Sequence, residues 1–307
     1  MTAAEIASTL GSARREGRNW RCCCPLHGGR SLVLREGEGG RLLVKCWGGC
    51  NRLDVLAELR RRGLLSRGTL DYMPPLVAPA RRNDAARTAG SFATWRVALA
   101  ASSTIAQIYL ASRGIILTDL PPSLRFHPRC PRPRDDAGNV VPPLTAMVGL
   151  VEHVERGPIG VHCTYLRLDG SGNADLPKNN RRACFGCVGG GAVRFGVPRS
   201  GDWLAVGEGI ETTLSVAVAC SMPAWAALSA YGVENLVLPP EATHVVICAD
   251  NDVNGRGQRA AQKAAQRWIA EGRRVRVALP RTSFDFNDVL IGRAAATINE
   301  VNDVVAA

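Results

Sequence analysis

Two apolar runs that stop abruptly in carboxylates constrain this chain more than any other feature. The first is Leu204-Ala205-Val206-Gly207-Glu208, and the second is Val245-Val246-Ile247-Cys248-Ala249-Asp250-Asn251-Asp252. Short, continuous apolar runs of this kind read as strands covered on both faces. Their carboxylates then stand at the strands' C-terminal tips, where open α/β sheets collect ligand sites. Three carboxylates on neighbouring tips make a hard, oxygen-rich site. Mg²⁺ and Mn²⁺ prefer such ligands, with phosphate oxygens completing the shell. Strand and helix alternate throughout this region. Strands are expected over 202–206, 224–227, 244–249 and 274–279. Helices are expected over 211–220 and 257–271, with a helical turn over 230–236. Parallel connections through those helices predict a compact, mainly parallel α/β sheet.

A second signal lies at the N-terminus. Cys24-Pro25-Leu26-His27 is followed by Cys46-Trp47-Gly48-Gly49-Cys50, a C-x₂-H…C-x₃-C pattern. Thiolate and imidazole together suit tetrahedral Zn²⁺. Residues 31–35 and 41–45 read as strands, with Glu36-Gly37-Glu38-Gly39-Gly40 as the turn between them. Such a hairpin would hold the two ligand pairs side by side. Cys22 and Cys23 directly precede Cys24, and either could replace it as a ligand.

These motifs resemble a known family. Glu208-Gly209 after one strand and Asp250-x-Asp252 after another resemble the Toprim fold of bacterial-type primases, topoisomerases and some nucleases. The strings Gly207-Glu208-Gly209-Ile210-Glu211-Thr212 and Asp285-Phe286-Asn287-Asp288-Val289-Leu290 resemble primase Toprim domains from phages, plasmids and other mobile elements. The Cys/His module resembles the CHC2-like zinc-binding domain of primases. Its C-x₃-C pair departs from the C-x₂-C of cellular primases and is familiar in mobile-element members.

The resemblance implies a zinc-ribbon-like module over 1–65, a linker over 66–91, a basic α+β subdomain over 92–200 and a Toprim α/β domain over 201–307. It implies a DNA primase that makes short oligonucleotides on single-stranded DNA from nucleoside triphosphates. Glu208, Asp250 and Asp252 would be catalytic. They would hold Mg²⁺ or Mn²⁺ together with Asp285 and Asp288, Glu208 acting as ligand or general base. Cys24, His27, Cys46 and Cys50 would hold a structural Zn²⁺. Glu211, one helical turn beyond Glu208, is read as supporting or solvent-facing. Asn251 and Asn287 read as turn formers. The chain ends soon after Asp288, which leaves no room for a fused helicase, so a helicase partner in trans is expected.

Composition fits this reading. The 307 residues carry a net charge of +11 and a pI near 9.5. Such a field favours nucleic acid as partner. No apolar run is long enough to span a bilayer and no leader pattern opens the chain, so a cytoplasmic protein without a membrane partner is expected. Eleven cysteines without a secretory signal point to a reducing compartment. Arg60-Arg61-Arg62 closes a helix expected over 53–64 with Leu53, Leu56 and Leu59 on its apolar face. It serves either the helix dipole or nucleic acid.

The middle of the chain is less legible. One helix is expected over 92–111, with strands over 145–153 and 160–168 and a turn at Asp169-Gly170-Ser171-Gly172. Arg167, Lys178, Arg181, Arg182 and Arg194 lie on or beside loops. With Arg256, they are the candidate nucleotide and template contacts, since guanidinium and ammonium suit phosphate. Cys184-Phe185-Gly186-Cys187, with Cys130 and Cys163 upstream, is a conceivable second metal site. Two other reactions stay open: a Toprim nuclease using the same carboxylates, and a non-catalytic DNA-binding accessory role. A topoisomerase fits less well, because none of Tyr72, Tyr109, Tyr165 and Tyr231 sits in a recognisable strand-passage domain.

Overall fold

The structure is a computed structural model that describes residues 1–37, 42–47, 50, 52–65, 84–133, 139–251 and 255–300. It divides into two compact units, Met1–Arg82 and Asn83–Ala307.

The first unit is a small four-stranded antiparallel sheet with two helices. Helix α1 (Ala3–Leu10) precedes strands β1 (Arg14–Glu16), β2 (Asn19–Cys22), β3 (Leu32–Glu36) and β4 (Leu42–Cys46), and helix α2 (Arg52–Arg61) follows. The strands pair in sequence order. Alternation makes one face of the hairpin apolar: Leu32, Leu34 and Val44 are buried against Ile6 of α1 and Leu59 of α2. Thr2 and Glu5 form a capping box that starts α1. The expected hairpin is present, with most of its turn outside the described residues. Leu53 does not join the core. It is exposed, and Val55, Leu56 and Leu59 form the buried stripe of α2. Gly63, at φ +72°, ends that helix in the left-handed conformation that glycine adopts without penalty. Arg61 and Arg62 both reach back to Glu58, so two arginines of the triplet are spent on the helix itself.

The second unit opens with helix α3 (Asp84–Val97) and the short strand β5 (Leu99–Ala100), followed by helix α4 (Ile105–Ser112). This corrects two expectations. The linker expected over 66–91 is helical from Asp84, and its earlier part lies outside the described residues. The single helix expected over 92–111 is broken in two. Ser103 takes a left-handed φ of 60°, and the Thr104 side chain caps the new helix by accepting from Ala106. Strands β6 (Leu124–Cys130), β7 (Leu144–His153), β8 (Gly157–Tyr165) and β9 (Arg182–Gly186) complete a five-stranded antiparallel sheet with β5.

From β10 (Val193–Phe195) the chain builds a second sheet. It contains β11 (Trp203–Gly207), helix α5 (Ile210–Cys220), β12 (Ala224–Ala226), helix α6 (Ala230–Asn235), β13 (His244–Cys248), helix α7 (Arg256–Ala270), β14 (Arg274–Pro280), helix α8 (Phe286–Leu290) and β15 (Ala296–Glu300). The strand order is β10-β12-β11-β13-β14-β15. The four inner strands are parallel, and β10 and β15 run antiparallel at the edges. Successive residues of each inner strand enter different cores. Ala205, Val246 and Ala278 meet Leu214 of α5 and Phe286 of α8 on one face. Leu204, Val206, Val245, Ile247 and Val275 meet Ala261, Ala264 and Trp268 of α7 on the other. Helices cover both faces, which is why β11 and most of β13 are apolar throughout rather than alternating, whereas β14 carries Arg274 and Arg276. The first of these cores continues through Tyr109 and Leu110 of α4 and Met147 of β7, so both sheets of this unit share it.

Candidate active site and metal centre

Register sets the carboxylates side by side. Gly207, the last residue of β11, pairs with Cys248, the last residue of β13, and Cys248 pairs in turn with Ala278 of β14. Glu208 and Asp250 therefore follow directly from the C-terminal tips of adjacent parallel strands, both half-buried. Helix α7 returns onto the same spot. A β-carbon at buried Gly257 would press into the main-chain oxygen of Asp250 and come within 3.0 Å of Glu208 Oε1. The first turn of α7 thus touches both groups, and only glycine lets it approach so closely. The third tip is tied in by the Asn251 side chain, which donates to Pro280 O at 2.8 Å, and by Ser283 N, which donates to Asn251 O at 3.0 Å. Asn251 is thus a tie between two strand tips. Asp252, the expected third ligand, lies outside the described residues.

Asp285 and Asp288 have a definite local task. They form a capping box that starts α8: Asp288 N donates to Asp285 Oδ1 at 2.9 Å and Asp285 N to Asp288 Oδ2 at 3.2 Å. Asn287 exceeds the expected turn-forming role. Its buried amide donates to Arg113 O at 2.6 Å and to Ser215 Oγ at 3.1 Å, locking α8 to α4 and α5.

Of the two roles the sequence leaves open for Glu211, supporting or solvent-facing, the structure excludes the second. Glu211 is buried in the first turn of α5 and accepts a hydrogen bond from the Tyr109 hydroxyl at 2.7 Å. Arg182 Nη2 lies 3.3 Å from the same oxygen. Burial alone would raise this carboxyl. Arg182, the local backbone amide and Tyr109 outweigh burial and hold it below its usual value. Nearby His162 is buried as well, and desolvation pushes its imidazole down to about 4. Desolvation and the Glu211 charge push the Tyr109 phenol well above its ordinary range. Nothing in the sequence pairs these residues, because α4, β8, β9 and α5 are brought together only by the tertiary fold.

The basic candidates divide. Exposed Arg167 pairs with Asp175, and the Arg181 Nε donates to Leu176 O at 2.8 Å. Lys178 is exposed at the start of a 3₁₀ turn, Lys178–Asn180. Arg194 stacks on Trp225 at 4.2 Å from the ring centroid, half-buried. Arg256 pairs with Glu234, which also lies 3.8 Å from Lys263. Arg194 and Arg256 are therefore held by the fold rather than displayed on a loop.

The N-terminal motif assembles. The ligand atoms of Cys24, His27, Cys46 and Cys50 all lie within 4.8 Å of one another. Gly28 N donates to Cys24 O at 2.8 Å and Cys24 N to Gly29 O at 2.8 Å, closing the first knuckle. Trp47 N donates to Ser31 O at 2.8 Å and fixes the second against it. The Ser31 hydroxyl lies 3.3 Å from Cys46 Sγ and 2.9 Å from His27 Nε2. Hydrogen bonding from Cys24 is the largest influence on Cys46. With Ser31 and His27 it lowers the pKa of that thiol, while the same contact and burial raise that of Cys24. Three thiols and one imidazole fit a tetrahedral soft-metal site with no open position. Cys22 does not substitute for Cys24: it is packed in the core, and burial pushes its thiol up to about 12. Cys23 is likewise outside the cluster. Among the described residues no second group of this kind forms. Cys130 and Cys163 touch each other at 3.4 Å in the core, apart from any metal-ligand set.

Comparison with known proteins places these features. Residues 203–296 match the Toprim domain, and residues 80–195 match a family described as a domain of unknown function, DUF7146. The C-terminal sheet is thus a Toprim domain. No curated protein matches the chain. Among solved structures, the zinc-binding and RNA polymerase domains of the Aquifex aeolicus primase are similar at 14% identity. That match covers 97% of this chain and 84% of the other, with a TM-score of 0.42. A DNA primase domain from Pseudomonas aeruginosa is similar at 16% identity, over 68% of this chain and 75% of its own, with a TM-score of 0.42. The RNA polymerase domain of Mycobacterium tuberculosis primase DnaG is similar at 16% identity, over 69% and 80%, with a TM-score of 0.40.

Proposed function

We propose that this chain is a DNA primase that joins nucleotides into short oligonucleotides on a single-stranded DNA template. The observation that carries the reading is the placement of Glu208 and Asp250 on adjacent parallel tips of a Toprim sheet. The four-ligand module in the same chain supports it, because zinc ribbons of this kind accompany primase cores. Zn²⁺ is the ion proposed for Cys24, His27, Cys46 and Cys50.

Glu208, Asp250 and Asp252 would hold Mg²⁺ or Mn²⁺, with Asp285 and Asp288 near the third tip as further oxygens. When bound, a divalent ion supplies neutralisation of the triphosphate and a lowered pKa for the attacking 3′-hydroxyl. The chain's own part is positioning. Gly257 lets α7 close against Glu208 and Asp250, and Asn251 fixes the loop leading to Asp285. Arg167, Lys178, Arg181 and Arg182 supply cations for phosphate, with Arg194 and Arg256 as partly buried supports. A net charge of +11 favours the approach of template and nucleotide. A cytoplasmic setting and a helicase acting in trans belong to the same proposal. Among the described residues no helix is long and apolar enough to cross a membrane.

Asp250→Asn tests the assignment. The variant should lose incorporation of labelled nucleoside triphosphates on single-stranded DNA by on the order of a hundredfold or more, with an unchanged melting temperature. Metal-dependent shortening of the DNA without nucleotide incorporation would move the site to the nuclease class.

A further inference from the structure

The Glu211 cluster is a buried polar feature of the second unit that the metal site does not absorb. A carboxylate in the first turn of α5, three residues from Glu208, invites a reading as another metal ligand. Its surroundings argue otherwise. Glu211 is 4% exposed, and its Oε1 receives both the Tyr109 hydroxyl at 2.7 Å and Arg182 Nη2 at 3.3 Å. Tyr109 is itself 1% exposed, and Asn173 Nδ2 reaches the Tyr109 hydroxyl oxygen at 3.4 Å. Arg182 differs from its partners. Its side chain remains 46% exposed while one nitrogen is tied to Glu211. A guanidinium offers five donors in a rigid fork, so anchoring one edge leaves the other oriented toward solvent. Burying a carboxylate is costly unless its partners repay it, and here the Tyr109 hydroxyl and Arg182 do so at one oxygen.

We infer that Glu211 is a positioning residue. With Tyr109 it fixes Arg182 so that the exposed edge of the guanidinium binds a phosphate group of nucleotide or nucleic acid. The inference rests on the proposed reading of the Toprim site but asks for binding, not synthesis. Arg182 sits on β9, the edge strand of the antiparallel sheet, and Glu211 on the helix that follows the Glu208 strand. The pair thus ties the basic subdomain to the carboxylate-bearing sheet at one point. A pre-oriented fork loses less freedom on binding an anion than a mobile side chain does.

The test compares wild type, Tyr109→Phe, Glu211→Gln, Arg182→Lys and Asp250→Asn by equilibrium binding. Three probes are used separately: ATP with Ca²⁺, a short single-stranded oligonucleotide, and Mn²⁺ alone. Tyr109→Phe removes the hydroxyl's hydrogen bonds to Glu211 and from Asn173 without stranding a charge, so it keeps the test valid if Glu211→Gln unfolds. Tyr109→Phe should weaken ATP or oligonucleotide binding several-fold, and Arg182→Lys and Glu211→Gln roughly tenfold. All three should leave Mn²⁺ binding unchanged, whereas Asp250→Asn should weaken it. The probe that responds identifies the source of the phosphate. Loss of Mn²⁺ binding in Glu211→Gln or Tyr109→Phe would make Glu211 a metal ligand and overturn the inference. So would unchanged ATP and oligonucleotide binding in folded Arg182→Lys and Tyr109→Phe. Failure of primer synthesis with these binding patterns intact would overturn the primase reading alone.

Discussion

Gly257 shows how much one missing side chain can decide. Its neighbours are the main chain of Asp250 and the carboxylate of Glu208, so a methyl group has nowhere to go. Gly257→Ala should destabilise the second unit by about 1–3 kcal/mol, the usual cost of overpacking. A lower midpoint in chemical denaturation would show it, and an unchanged midpoint would mean that α7 shifts freely. His162 makes a pH prediction at the same scale. Its folded pKa lies near 4, below the value of 6.5 expected for the unfolded chain. The neutral imidazole is therefore the form the fold favours. That stability is fully present above pH 6.5 and is lost as pH falls toward 4, by on the order of 3 kcal/mol. His162→Gln should flatten the stability profile through that window. A profile as steep as wild type would place the acid sensitivity elsewhere. Glu211, whose carboxyl is also held low, adds its own loss only at more acid pH.

At the scale of elements, the hairpin β3–β4 was readable because two alternating runs flank a glycine-rich turn and end in metal-ligand pairs. The strands and helices from β11 to β14 were readable for a different reason: continuous apolar runs alternate with helical periodicity. The break between α3 and α4 is not legible from apolar spacing, which continues across it. Ser102-Ser103-Thr104 was the available signal, since serine and threonine favour caps over helix interiors. The partners of Glu211, Asn287 and Arg256 are not legible in the sequence, because each is brought close only by packing. The metal module makes the element-scale prediction. Its core is small, and ligand binding is coupled to folding in such modules. Chelation should abolish amide-exchange protection in β3 and β4 of the full chain while protection in β11 and β13 persists. Protection that survives chelation in β3 and β4 would mean the sheet holds without metal.

At the scale of the whole molecule, one chain combines a basic antiparallel sheet, a Toprim sheet with acidic tips, and a separate Cys₃His module. Phosphoryl transfer asks a protein mainly for position and field. On the proposed reading, the Toprim tips would supply fixed anions for metal and the basic subdomain cations for phosphate, with no side-chain nucleophile needed. The general class of this arrangement is legible in short motifs through their resemblance to the Toprim and zinc-binding domains of primases. The holding of Arg182 is not, because it rests on contacts across more than a hundred residues of chain, such as Tyr109 with Glu211.

The central claim is template-directed synthesis, and the direct measurement is the composition of the product. Purified protein would be given single-stranded DNA of defined, asymmetric sequence, Mg²⁺ or Mn²⁺, and each labelled nucleoside triphosphate in turn. The account predicts short new oligonucleotides complementary to the template, absent with Asp250→Asn. Products whose composition ignores the template, or no product from a folded and metal-loaded protein, would contradict it.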